Sequence, residues 1–246
     1  MGSITLRNAV RRILEEDDLK KVARVIADEL DEENNNTPGI EAARAIEELN
    51  EEDEDAIPTY VAEAREAIKA GRFKVGDIVL EKYGVRWRLI DINMEDYTIM
   101  TECAFTYAPF DRPSKEHPFG WNNWEESQIR KELNEIWLPK LLGAEKDLVQ
   151  IVYAAKAGLF LLSEEEAGFR QTPCTFDYFR LREGEDEEDL NKRRQLKDYE
   201  GDKCSWWLRA PNSGHASDVR LVGSDGSLID YYYALYGYGA VAACVI

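Results

Sequence analysis

The hydrophobic pattern of the chain changes period near residue 73, and that change limits the fold more than any other feature. Before it, apolar residues recur with the 3.6-residue period of a helix: Leu6, Val10, Ile13 and Leu14, then Val22, Val25, Ile26 and Leu30. After it, they alternate with the two-residue period of strands. The segment Phe73–Leu80 is strand-like, Val85–Ile92 alternates as a second strand, and Tyr97–Thr101 reads as a third.

The first 72 residues therefore read as an acidic helical region and residues 73–246 as a separate domain. Within the first part, 32–39 is a polar break ending in Pro38-Gly39. A second helix is expected from Ile40 to about Leu49, and a solvated acidic linker from Asn50 to Asp55. After Pro58 a third helix runs from Tyr60-Val61 to Lys69 and stops near Gly71.

In the second part, a Pro/aromatic loop spans 108–121. A helix is expected from Trp124 to about Leu142, with Ile129, Leu133, Ile136 and Trp137 on one face. Residues 149–152 and Gly158–Leu162 read as short apolar strands. Ser163 with Glu166 forms a capping-box start for a short helix, 183–202 reads as a charged surface loop, and the chain from Cys204 onward is a Gly/Ser/Tyr-rich series of strands and turns. Strands grouped around one or two helices predict an α+β fold rather than alternating α/β.

Charge narrows the list of partners. The net charge is −18 and charged residues make up 33% of the chain. So acidic a chain repels phosphate backbones, and nucleic acid is not an expected partner. No apolar run approaches the length of a membrane span, so membrane insertion is not expected. The start, Met1-Gly2-Ser3-Ile4-Thr5, lacks a basic stretch followed by an apolar one, so no signal peptide is read there. Cys103, Cys174, Cys204 and Cys244 are far apart with no CxxC pair, which argues against zinc and, without an export signal, for free thiols. No metal and no cofactor is expected, and no residue is assigned a catalytic role.

Four segments in order carry a resemblance. They are Gly84-Val85-Arg86-Trp87-Arg88-Leu89-Ile90-Asp91, Trp124-Glu125-Glu126-Ser127-Gln128-Ile129-Arg130-Lys131-Glu132-Leu133-Asn134, Phe160-Leu161-Leu162-Ser163-Glu164-Glu165 and Trp206-Trp207-Leu208-Arg209-Ala210-Pro211. Residues 73–246 thereby resemble a domain of unknown function common in gut bacteria and their phages, with a C-type-lectin-like fold. The closing segment Gly239–Cys244 departs from that pattern by lacking its Arg and Pro. The resemblance implies a lectin-like scaffold preceded by a helical segment. It also implies a ligand-binding, variable C-terminal region at about 206–246, of the kind that diversity-generating retroelements rewrite by adenine-directed mutagenesis. Such proteins serve as phage receptor-binding tips or are displayed on cell surfaces, so a protein or cell-surface ligand is the implied partner. The lack of a signal peptide suits a cytoplasmic or phage-virion location. The N-terminal helices are left for homo-oligomerisation or another partner.

The residue chemistry of 212–238 agrees with this reading. Tyrosine gives amphipathic contact area with little rotamer entropy to lose, and Ser, Gly, Asn and Asp give adaptable hydrogen bonding. Adenine changes in an Asn codon cannot produce Lys, Glu, Gln, Met or Trp. None of these occurs from Leu208 to Ile246, where composition alone predicts about nine.

The expected ligand contacts are His215, Ser217, Asp218, Arg220, Tyr231, Tyr233, Tyr236 and Tyr238, followed by Asn212, Ser213 and Tyr232. Val219, Leu221, Val222, Leu228, Ile229, Val241 and Val245 are assigned to the core, together with Trp206 and Trp207. Arg209 is read as a buried hydrogen-bond hub. Trp121-Asn122-Asn123 is similar to the Trp-Asn-Asp calcium motif of true C-type lectins but lacks the Asp, so calcium-dependent sugar binding is not expected. Two alternatives stand beside the binding module. One is a structural or assembly protein of a phage or bacterium. The other is an enzyme of the formylglycine-generating type, which shares the broader fold and uses a cysteine pair that no spacing here matches.

Overall fold

The computed structural model describes residues 56–150 and 156–246. The chain divides into units 1–56 and 57–246. The helices expected between Leu6 and Leu49, the break at 32–39 and the acidic linker at 50–55 lie outside the described residues. The third expected helix is present as α1, Val61–Lys69. Its buried face, Val61, Ala64 and Ile68, belongs to the core of the 57–246 unit. No residue of α1 caps its own start. Glu145 does so from a distance, its Oε1 accepting the Val61 N–H at 2.9 Å while Lys82 pairs with its other oxygen. Such a cap is worth about 1 kcal/mol.

Among the described residues the unit is α+β, with three sheets. The first is formed by β1 (Ile78–Lys82), β2 (Val85–Asn93), β3 (Asp96–Thr101) and β12 (Ala243–Val245), in that order. The last strand of the chain thus pairs antiparallel with the third, Cys244 opposite Ile99. The second sheet has the order β10-β9-β8-β11-β5. Its members are β5 (Thr106–Pro109), β8 (Trp206–Pro211), β9 (Asp218–Val222), β10 (Leu228–Tyr233) and β11 (Gly237–Ala240). A small third sheet joins β4 (Cys103–Ala104), β6 (Leu196–Asp198) and β7 (Lys203–Cys204). Trp87, Trp206, Trp207, Phe110, Phe160 and Phe179 are fully buried at the centre.

Where the structure departs from the pattern reading, the causes are local. The stretch after Trp124 is helical but not one regular helix. A 3-10 turn (Trp124–Glu126) leads into α2 (Gln128–Glu132), a π-helical turn (Leu133–Trp137), α3 (Leu138–Leu142) and a second 3-10 segment (Gly143–Leu148). The π turn adds a residue to one turn and shifts the phase of everything after it. Ile129 and Leu133 are buried as expected, whereas Ile136 is rotated out to 43% exposure.

Gly158–Leu162 is not a strand. Leu159, Phe160, Leu161 and Leu162 are fully buried, but only Phe160 makes a bridge, to Ala243. Side chains take the place of strand partners. Asn134 bonds both the N–H and the C=O of Leu159, at 2.9 and 3.0 Å, and Arg209 reaches the Leu161 carbonyl. Val149 and Gln150 are irregular, and the rest of that expected strand lies outside the described residues.

The Ser163/Glu166 capping box is made, at 2.8 and 3.1 Å. It closes a single turn rather than a helix, because Gly168 at φ +76° ends it. The charged stretch 183–202 is not a loop throughout. It contains α4 (Glu187–Arg194), started by an Asp186/Asp189 capping box, and then β6. Arg194 is fully buried there, its guanidinium 3.8 Å from the Phe169 ring and bonded to the carbonyls of Ala167 and Gly168. Among the described residues no helix is long and apolar enough to cross a membrane.

Candidate functional site at the C-terminal aromatic surface

The C-terminal segment is held from beneath by a buried ionic hub. Glu166 is almost wholly enclosed and binds Arg209 through both carboxylate oxygens, at 2.5 and 2.7 Å, and Lys156 at 2.8 Å. Burial alone would raise its pKa. The two cations outweigh burial and hold the carboxyl below its ordinary range. Arg209 is thus the structural hub that its motif suggests, and Trp206 and Trp207 are core. Val219, Leu221, Val222, Val241 and Val245 are buried, and Leu228 and Ile229 pack half-buried against them.

A second clamp comes from the loop between β5 and α2. Asn122 donates through Nδ2 to the carbonyls of Asn212, His215 and Asp218, at 3.2, 2.9 and 3.1 Å, and its own N–H donates to Ala216 at 2.9 Å. Leu235 donates to the Phe119 carbonyl at 3.1 Å, and Asp111 to the Ala234 carbonyl at 3.0 Å. The Asp111 carboxylate accepts from Trp121 N and Gln128 N, fixing the loop to the start of α2. Gly120 makes the close approach: at φ +79°, a Cβ there would lie 2.9 Å from Ala234 Cβ. The Trp-Asn-Asn triplet therefore has a backbone role. Asn122 ties its loop to the 212–218 turn between β8 and β9, and Asn123 accepts from Glu125 N at the first helical turn.

On this base the rings form two rows of ring contacts. Phe119 stacks on Tyr233 with centroids 4.7 Å apart, and Tyr233 meets Tyr236 at 5.9 Å. Tyr231 lies parallel to Tyr232 at 6.4 Å. Tyr232 meets Tyr238 edge-on at 5.1 Å, and Tyr238 meets buried Trp207 at 5.0 Å. Tyr231 is 71% exposed, and Phe119, Tyr233 and Tyr236 each more than a third. Burial, followed by the neighbouring Tyr232 hydroxyl, pushes Tyr238 up to about 12, so it stays a neutral phenol.

The structure sorts the expected contacts. Ser213, His215, Tyr231, Tyr233 and Tyr236 are exposed. Ser217, Tyr232 and Tyr238 are half-buried beside them. Asn212 bends back, with Oδ1 on Gly214 N and Nδ2 on the Asp230 carbonyl, so its amide serves the turn. Arg220 is taken up by ion pairs with Glu164 and Asp230. Asp218 differs from the expectation of an exposed contact: it is only 8% exposed, with its backbone held by His215, Asn122 and Tyr233. Phe119 is the contact that alternation along strands misses. It comes from a loop about a hundred residues earlier, and its only signal was the dense Pro, Gly and aromatic composition of 108–121.

Other chemistry lies elsewhere. A cavity of about 640 Å³ sits at the third sheet, lined by Arg88, Glu102, Cys103, Lys197 and Asp198 among others. Arg88 is bound to Glu102 at 2.6 Å, and Asp198 accepts the Tyr107 hydroxyl at 2.9 Å. The four cysteines are free thiols. Burial pushes Cys204 up to about 11 and also raises Cys103 and Cys244, so none of these three is primed as a thiolate. Among the described residues, no group of three or more His, Cys, Asp or Glu side chains is placed to hold a metal ion.

A family model described as a domain of unknown function, DUF6273, matches residues 92–246. The match begins within β2, after the Gly84–Asp91 segment, and covers both clamps and every ring of the aromatic surface. No curated protein and no solved structure matches the chain. With well over half of its length matched by that model, the chain belongs to the DUF6273 family.

Proposed function

We propose that the chain is a recognition protein that binds a macromolecular or cell-surface ligand through the exposed rings of Phe119, Tyr231, Tyr233 and Tyr236. The observation that carries this reading is the contrast between the rings and their base. The four rings are solvent-exposed, while the backbone beneath them is held by Asn122, the Glu166–Arg209 pair and a fully buried Trp207. Recognition surfaces combine a few aromatic anchors with low entropy cost on binding, and a preformed base lowers that cost further. Ser213, Ser217 and His215 supply adaptable polar contacts around the anchors.

The scaffold reading that goes with this is a C-type-lectin-like fold. The four ordered sequence segments support it, as does the pairing of the terminal strand β12 with β3. The same reading makes this surface the variable region of a diversity-generating retroelement. The absence of Lys, Glu, Gln, Met and Trp from Leu208 to Ile246 supports that assignment.

Two experiments test the proposal. In the first, the full chain is screened against arrayed bacterial surface proteins and glycans beside the Tyr231→Ala/Tyr233→Ala/Tyr236→Ala variant. Binders lost in the variant support the surface as the site, and binders that it retains in full refute it. In the second, the gene and its flanks are sequenced. The variable-region reading needs a neighbouring reverse transcriptase and a template repeat that differs only at adenines, and it falls if neither is there.

A further inference from the structure

Several aromatic rings elsewhere in this protein are covered by the chain's own cations, although among the described residues those of exposed Tyr107 and Tyr199 are not. Lys82 Nζ lies 4.7 Å from the Tyr60 ring and 5.5 Å from that of Tyr83. Arg88 covers Tyr178 at 5.6 Å, Lys140 covers Trp137 at 4.7 Å, and Lys156 covers Phe176 at 4.6 Å. The C-terminal surface gathers four exposed rings without such a cover. Among the described residues, no lysine or arginine lies over Phe119, Tyr231, Tyr233 or Tyr236.

The local sequence explains this. From Leu208 to Ile246 there is no lysine, and the two arginines are taken up in ion pairs: Arg209 with Glu166, and Arg220 with Glu164 and Asp230. In the loop that carries Phe119, Arg112 is paired to Glu132 at 2.9 Å, and Lys115 is followed directly by Glu116. What is exposed is a group of phenol oxygens and the ring faces outside the Phe119–Tyr233 and Tyr231–Tyr232 stacks, on a chain of net charge −18.

An uncovered ring face attracts a cation through its quadrupole, and guanidinium, being planar and weakly hydrated, suits it better than ammonium. The long-range field of an acidic chain steers a cationic partner towards it and repels an acidic one. We infer that the ligand of this surface is a protein that presents arginine, and secondarily lysine, side chains to the open faces of Phe119, Tyr231, Tyr233 and Tyr236. The inference rests on the recognition reading above and names the chemistry of its partner.

The test uses the full chain, with its tyrosine and phenylalanine rings isotope-labelled and their NMR signals assigned from single Tyr→Leu and Phe→Leu variants. The probes are a short alternating Arg-Gly peptide, its Lys-Gly, Ser-Gly and Glu-Gly counterparts, and a neutral oligosaccharide. The Arg-Gly peptide is expected to move the signals of the four rings and the Lys-Gly peptide to move them less. Ser-Gly, Glu-Gly and the oligosaccharide should leave them in place. Each Tyr→Leu change keeps apolar bulk but removes the π face, and should weaken Arg-Gly binding about two- to fivefold. Added salt should weaken it further, and Tyr83→Leu should not. The unchanged spectrum of the remaining rings shows that each variant is folded.

Equal shifts with the serine peptide or the oligosaccharide overturn the cation inference while leaving the surface as a recognition site. Shifts with the arginine peptide that bypass the four rings, or no shift with any probe, also overturn it. In those two cases the array screen judges the recognition reading separately.

Discussion

Replacing Asn122 with alanine removes the clamp that joins the 111–122 loop to the C-terminal strands. Its Nδ2 group has two hydrogens shared among three carbonyls, those of Asn212, His215 and Asp218, at 2.9 to 3.2 Å. The net loss is about 1 kcal/mol per hydrogen bond, and carbonyls left without a partner add to it, giving about 2–3 kcal/mol in total. For a unit of this size that corresponds to a fall in melting temperature of about 5–10 °C. Circular dichroism melts of wild type and Asn122→Ala, each in calcium and in a chelator, would measure it. The same deficit is expected in both buffers. Asn122→Asp should be at least as harmful, since a carboxylate would face three acceptors. A variant within about 0.5 kcal/mol of wild type would refute the clamp, and a deficit seen only with calcium would point instead to Asn122 as a metal ligand.

Three further outcomes follow from the same geometry. Tyr231→Ala should leave the unfolding midpoint within about 0.5 kcal/mol of wild type, whereas Trp207→Ala, a fully buried side chain, should cost about 3–5 kcal/mol in denaturant titrations. Glu166 has a lowered folded-state pKa, so its ion pairs add stability above the ordinary carboxylate range. That stability is lost as pH falls from about 5 through the lowered pKa. In urea titrations across that range, Glu166→Gln should flatten the acid-side decline, and an unchanged slope would contradict the hub. A thiol reagent should label exposed Cys174 rapidly in the folded protein, with Cys204 and Cys244 reacting only on unfolding. Equal rates would contradict their burial.

Much of the scaffold was legible in the sequence because it rests on short-range periodicity. The patterns at Val85–Ile92 and Tyr97–Thr101 marked two strands of the first sheet, and the stretch from Tyr60-Val61 to Lys69, bounded by Pro58 and Gly71, marked α1. What pattern reading missed depends on partners distant in the chain. Leu159–Leu162 has the composition of a buried strand, but its backbone is served by Asn134 and Arg209, whose positions no local pattern encodes. Ile136 was misassigned because a π turn inserts a residue that periodicity cannot register. Alternation failed at Asp218 because a strand covered on both sides no longer alternates between core and water. Phe119 was missed for the converse reason: its place in the surface is set by the Leu235–Phe119 hydrogen bond and the close approach of Gly120, which are tertiary facts.

The central claim is that recognition runs through the four exposed rings. Its most direct test is the Kd of the strongest arrayed binder, measured by surface plasmon resonance for three proteins. These are the wild type, the Tyr231→Ala/Tyr233→Ala/Tyr236→Ala variant, and a Tyr83→Ala/Tyr199→Ala control that removes equally exposed tyrosines elsewhere. The account predicts a loss of about a hundredfold or more for the first variant, as expected when central aromatic anchors are removed, and no change for the control. Equal affinity in all three, or a loss confined to the control, would contradict it.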